Sequence, residues 1–155
     1  MKTKMQTQDY HSSITAHTDA EKAFDSISRV SEWWAKNFEG KSQKPGDEFT
    51  VRFGETFVTF KVVDVVAGKT VTWQVVDCYL HWLTDKKEWN GTKIKWEIST
   101  SDNATQIDFT HIGLVPEIEC YNDCSKGWNF FVKESLLKLI TEGKGLPNAP
   151  QSARN

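Results

Sequence analysis

No stretch of this 155-residue chain approaches the run of about 18 apolar residues that a membrane-spanning helix needs, so a helical span is not expected. The polar N-terminus, MKTKMQTQDYHSS, also lacks the short apolar segment of a signal peptide. Basic residues are neither in excess nor clustered. With 19 Lys and Arg against 21 Asp and Glu, the net charge is −2 and the footprint for a phosphate backbone is missing. Cysteine is scarce, and Cys78, Cys120 and Cys124 form an odd set in a chain without an export signal. Reduced thiols are therefore expected rather than a disulfide framework. These absences leave a cytoplasmic protein with no nucleic-acid partner and no membrane span as the expectation.

What the chain does have is aromatic mass: seven Trp, nine Phe and three Tyr. Large rings fill cores, and they also line concave sites where shape and an indole N–H fix a ligand. A chain of this length folds as one domain and buries roughly two thirds of the surface that its unfolded form exposes. No repeat, low-complexity segment or linker divides it. A single domain over 1–155 is expected, with loose ends at 1–9 and 147–155.

The periodicity places the elements. Residues 10–17 alternate weakly, as a short strand does. In TDAE, Thr18 is the expected N-cap and Glu21 the reciprocal residue of a capping box, opening a helix over 19–28 with Ala20, Phe24 and Ile27 on one face. Ser31 caps a second short helix through EWWAKNF, and of the adjacent Trp33 and Trp34 one is expected to point inward. The period then changes to two. Phe49, Val51 and Phe53 alternate with polar residues, Gly54-Glu55 turns the chain into TFVTFKVVDVV, and a further turn leads to TVTWQVVDCY, where Val71, Trp73 and Val75 share a face. After the polar connection LHWLTDKKEWNGT, with its Asn90-Gly91 hairpin signal, Ile94, Trp96 and Ile98 oppose Lys93, Lys95 and Glu97. Ile107, Phe109 and His111 then share the inward face of the last strand. Pro116 suits a first helical turn, with Glu117, Glu119 and Asp123 complementing the helix dipole. From Cys124 to Ile140 apolar residues recur at three and four, and Gly143 supplies a C-cap. Strands bunched between helices read as α+β, a curved antiparallel sheet of about six strands covered by the long C-terminal helix.

This order, together with FDSISRVSEWW, GDEFTVRFG, VTWQV, WNGTKIKWEI, QIDFTHIGL and GWNFFVKESLLKLITEGKGLP, resembles the START-like SRPBCC superfamily. Within it the chain looks most like the AHSA-like branch, named for an activator of a heat-shock chaperone ATPase. The resemblance runs from about Tyr10 to Pro147 and implies a helix-grip fold, also called Bet v 1-like, with a deep apolar cavity between sheet and helix. It fixes no chemistry, because one fold hosts many functions.

His111 is open to several roles: base, metal ligand, pocket wall or hydrogen-bonded core residue. A base needs an orienting partner, and no Ser-His-Asp spacing supplies one. Cys120 and Cys124, four apart on a helix, are a weak zinc signal even with His111 or His81 added, and a buried hydrophobic role is the plainer reading. The primary expectation is a non-enzymatic protein that binds a small apolar or aromatic molecule. Trp34, Phe53, Trp73, Trp96, Phe109, His111, Cys124, Trp128 and Phe131 line its cavity, and no catalytic residue, metal or cofactor is assigned. Two alternatives stand beside it. One is a chaperone-associated interaction module with an exposed patch at Trp82 and Trp89. The other is a cyclase- or hydrolase-like enzyme using His111 with Asp64 or Asp77.

Overall fold

The computed structural model describes residues 8–148; what was expected of 1–7 and 149–155 lies outside the described residues. β1 (Tyr10–Ala16) leads into α1 (Ala20–Ser28) and α2 (Val30–Trp33). Six strands follow: β2 (Asn37–Gly40), β3 (Glu48–Phe53), β4 (Thr56–Val66), β5 (Thr70–Tyr79), β6 (Lys93–Ser101) and β7 (Ala104–Ile112). The C-terminal helix runs as α3 (Tyr121–Phe130), a π-helical turn (Phe131–Leu136) and α4 (Leu137–Glu142). The strands form one antiparallel sheet in the order β1-β7-β6-β5-β4-β3-β2, with all helices on its concave face and one hydrophobic core between.

The alternation read from β3 to β7 holds, and Phe53 pairs with Thr56 across the Gly54-Glu55 turn as expected. The sheet has seven strands rather than six. The added one, Asn37–Gly40, takes Asn37 and Phe38 from the end of the expected second helix, which stops at Trp33, and Gly40 from the expected loop. Its pairing with Phe49–Arg52 captures a segment whose local propensity is weak in either direction. The cap of α1 also differs: Asp19 Oδ1 accepts from Lys22 N at 2.8 Å. Thr18 instead offers its carbonyl to the buried Thr105 hydroxyl at 2.6 Å. α2 begins at Val30 without a side-chain cap, so Ser31 does not serve as one. The long helix begins at Tyr121, because residues 116–120 form turns.

Curvature has a local cause. Register shifts between β4 and β5 leave Val63 and Val76 as extra residues, each turned outward and exposed. Bulges of this kind bend a strand and increase its twist, here curling the sheet around the helix. The helix answers with its own adjustment. Its buried row Cys124, Trp128, Val132, Leu136 and Ile140 proceeds in steps of four, which drifts about 40° per step on a 3.6-residue helix. The wide turn at Phe131–Leu136 takes up part of that drift and keeps Ser135 and Leu136 buried.

At the far edge, Gly40 adopts φ 104° and lies so close to β3 that a Cβ would stand 2.2 Å from Glu48 O. Gly40→Ala is therefore expected to destabilise the protein by roughly 2–3 kcal/mol through backbone strain, as measured by urea denaturation.

Candidate functional site

Eight of the nine expected site residues join one aromatic network inside the sheet. The Trp34 indole stands 4.8 Å from Trp128, 5.6 Å from Phe60, 6.2 Å from Phe53 and 6.5 Å from Phe131, ring centre to ring centre. Phe109 meets Trp96 at 4.7 Å and Trp128 at 4.6 Å, and Trp73 meets Trp96 at 5.6 Å. Trp33 and Trp34 both turn inward, stacked at 6.0 Å, where only one was expected. This is possible because the helix stops between them. Cys124 is the exception: it is buried on α3 one turn before Trp128 and belongs to no ring contact.

These rings fill the volume between sheet and helix by touching one another. Open space lies to one side, as a partly open cleft of about 200 Å³ between α1, the β2–β3 loop and the β4–β5 hairpin. Phe24, Ile27, Val65 and Val71 give it apolar walls, Ser42 and Gln43 a polar lip, and Trp73 connects it to the ring network. The α1 wall was not among the expected site residues, although the Ala20, Phe24, Ile27 face was its signal.

Polar pairing within the interior is uneven. The Trp33 indole donates to Ile27 O at 3.1 Å and the Trp128 indole to His111 Nδ1 at 3.1 Å. The indole N–H groups of Trp73, Trp89 and Trp96 are buried with no hydrogen-bond partner in the protein. An unmet buried donor costs about 1–3 kcal/mol.

His111 answers the question of its role through its contacts. Because an indole can only donate, Nδ1 accepts and the ring proton sits on Nε2, 2.9 Å from Thr92 Oγ1. The Thr92 hydroxyl in turn donates to Trp89 O at 2.7 Å, and the Trp89 ring meets the imidazole edge-on at 4.6 Å. Both nitrogens are thus engaged by neutral groups, and burial holds the imidazole pKa down to about 3. Asp64 and Asp77 are both exposed, and Asp77 pairs with Lys87 at 2.9 Å. His111 is a hydrogen-bonded core histidine that ties β7 to α3 and to the 81–92 connection.

That connection is held by an exchange of carboxylates that the sequence did not signal. Glu119, expected to complement the helix dipole, instead accepts from the backbone N–H of Thr84 at 3.0 Å and of Asp85 at 3.4 Å. Glu88 reaches the other way to the N–H groups of Glu119 and Cys120, both at 3.0 Å. The Thr84 backbone hydrogen bond holds the Glu119 carboxyl below its usual range. The clasp buries Trp89 and leaves Trp82 exposed, so the two rings expected to act together are separated.

The cysteines depart from expectation as well. The sulfurs of Cys120 and Cys124 meet across one helical turn, the placement a disulfide would need, and Cys78 stands apart, its buried thiol pushed up in pKa by desolvation. Four-residue spacing on a helix had placed their side chains on one face. It could not say whether they bond.

Because His111 takes up its proton at about pH 3 when folded and near 6.5 when unfolded, the unfolded state binds more protons between those values. Stability is then fully present above about pH 6.5 and falls on acidification, by up to about 1.4 kcal/mol per pH unit. The lowered carboxyls of Asp47, Asp77 and Glu119 start from 3.8 to 4.5, so their part lies at lower pH. His111→Asn retains a donor and an acceptor without the titration. Denaturation at pH 6.5 and 5.0 is expected to show a loss in the native protein and a much flatter profile in the variant.

No family model matches the chain, and no curated protein matches it in sequence. Among solved structures, the Aha1 dimer from Colwellia psychrerythraea is similar with a TM-score of 0.72 and 24% identity, covering 89% of this chain and 99% of that one. DynU16, from the dynemicin biosynthetic locus, has a TM-score of 0.64 and 15% identity over 88% of this chain and 48% of its own. CalU16 from Micromonospora echinospora has a TM-score of 0.64 and 10% identity over 96% of this chain and 80% of its own. At these identities the likeness is one of fold. A curved antiparallel sheet closed around a long C-terminal helix is common to them, and the chain has the helix-grip fold.

Proposed function

We propose that the protein binds a small apolar or aromatic molecule without transforming it, and that the molecule enters by the cleft between α1 and the β4–β5 hairpin. The observation that carries this reading is the pairing of that apolar cleft with Trp73, a fully buried residue whose indole N–H has no partner. A volume of about 200 Å³ exceeds the ~150 Å³ at which an apolar cavity takes up a benzene-sized guest. The motifs that resemble the AHSA-like branch of the SRPBCC superfamily support it, as does the likeness in fold to DynU16, a protein of a dynemicin biosynthetic locus. His111 lacks an acid and a free nitrogen, which argues against the enzyme reading.

A second reading, an interaction module of the chaperone-associated kind, is favoured by the exposed indole of Trp82 and by the likeness to an Aha1 solved as a dimer. The two are separated by experiment. Native mass spectrometry of the purified protein and a thermal-shift panel of mono- and bicyclic aromatic compounds are expected to find a retained or stabilising compound. Val71→Phe, which places a ring in the cleft, should abolish the shift. If no compound in the panel is retained or raises Tm, the binding reading is wrong. Self-association or partner binding lost in Trp82→Ser would then favour the module.

A further inference from the structure

The interior that should receive a ligand is occupied by a side chain of the protein itself. The Trp34 indole is enclosed by the rings of Trp33, Phe53, Phe60, Trp128 and Phe131, with centre-to-centre distances of 4.8 to 6.5 Å. Through Phe60 this ring nest adjoins Trp73, which meets Phe60 at 5.6 Å and lines the cleft. A nest shaped around an indole is complementary to a flat bicyclic aromatic molecule. Trp34 does not belong to the sheet. It closes α2, a helix of four residues with no side-chain cap, too short to hold itself in place.

What holds it is the chain just beyond the C-terminal helix. Ser135, fully buried in the π-helical turn, donates its hydroxyl to Trp33 O at 2.6 Å and accepts from Leu146 N at 2.7 Å. Asn148 N donates to Trp34 O at 3.0 Å, and Asn148 Oδ1 accepts from Lys36 N at 2.6 Å. Gly145 passes between these partners so closely that a Cβ would stand 2.5 Å from Glu32 O and 3.0 Å from Ser135 O. Asn148, expected in a loose tail that begins at Pro147, is therefore fastened to Trp34 and Lys36, while Ser135 holds Trp33.

We infer that Trp34 is an intramolecular plug in a site for a flat bicyclic aromatic molecule, and that residues 143–148 are the latch that keeps it closed. The inference rests on the binding reading above and adds to it the class of guest and the moving part. A guest must compete with Trp34, so apparent affinity scales with the fraction of molecules whose latch is open. Releasing the latch strengthens binding, whereas loss of an ordinary wall residue weakens it.

The test uses 2-naphthol as probe, titrated calorimetrically into the full-length protein, Asn148→Ala and Trp34→Ala, each checked for folding by circular dichroism. Asn148→Ala removes one latch hydrogen bond and is expected to tighten binding about fivefold. Trp34→Ala removes the plug and is expected to tighten it roughly tenfold or more. In the native protein, 2-naphthol should also speed amide exchange at Lys36, Leu146 and Asn148, the three N–H groups held by the latch. If Trp34→Ala does not fold, Asn148→Ala and the exchange measurement decide the matter. Binding to the native protein that is unchanged or weakened in both variants would make Trp34 a wall and overturn the plug while leaving the binding reading intact. No binding to any of the three proteins would overturn both.

Discussion

The Trp128 indole gives its one proton to His111 Nδ1 while its ring surface meets Trp34 from the end of α2, Phe109 from β7 and Trp89 from the 81–92 connection. Four parts of the chain that are remote in sequence thereby share one side chain, and the helix cannot shift against the sheet without breaking all four contacts. The hydrogen bond fixes more than position. By making Nδ1 an acceptor it sets the tautomer of His111, which sets the direction of the Thr92 bond and, through Thr92, anchors the Trp89 carbonyl. A buried chain of this kind is stabilising when its members are satisfied, as Trp128 Nε1, both His111 nitrogens and the Thr92 hydroxyl are, whereas the Trp89 indole N–H is not. Burial of the same ring keeps the imidazole neutral.

Most of this centre could be read before any coordinates were known. Alternation in QIDFTHI put His111 inward, and the step-of-four stripe put Trp128 on the buried face of the helix, because both signals come from burial on one side of a regular element. What could not be read was whatever depends on pairing between distant segments. Residues 37–40 become a strand only because β3 offers an open edge. The bulges at Val63 and Val76 appear only when β4 and β5 are aligned. The carboxylate exchange between Glu88 and Glu119 is invisible for the same reason. Each residue looks like a surface or dipole-complementing charge until the two loops are brought together. Trp33 and Trp34 mislead differently. Helical geometry forbids adjacent residues from sharing a face, but the helix ends between them and the restriction lapses.

The packed interior bears on function in an unexpected way. A core built only for stability would place aliphatic residues or paired indoles where Trp73, Trp89 and Trp96 carry unmet donors. Natural sequences are locally consistent, and departures concentrate where something other than stability is served. Paired and unpaired indoles stand side by side here. Trp33 and Trp128, which hold α2 and the helix, are paired, while Trp73, at the boundary between ring network and cleft, is not. Trp89 and Trp96, which do not line the cleft, are unpaired as well.

The inventory of polar groups then limits what the interior can do with a guest. It offers indole donors, a neutral histidine whose nitrogens are both occupied, and no carboxylate in contact with that ring. An indole donor can orient an acceptor and a dry aromatic wall adds affinity, while the cleft beside the rings adds the Asp25 carboxylate and the Ser28 and Ser42 hydroxyls. In the proposed site, where a guest competes with Trp34 for one ring-lined space, affinity is set as much by the hydrogen bonds of Ser135 and Asn148 behind α2 as by the rings that touch the guest.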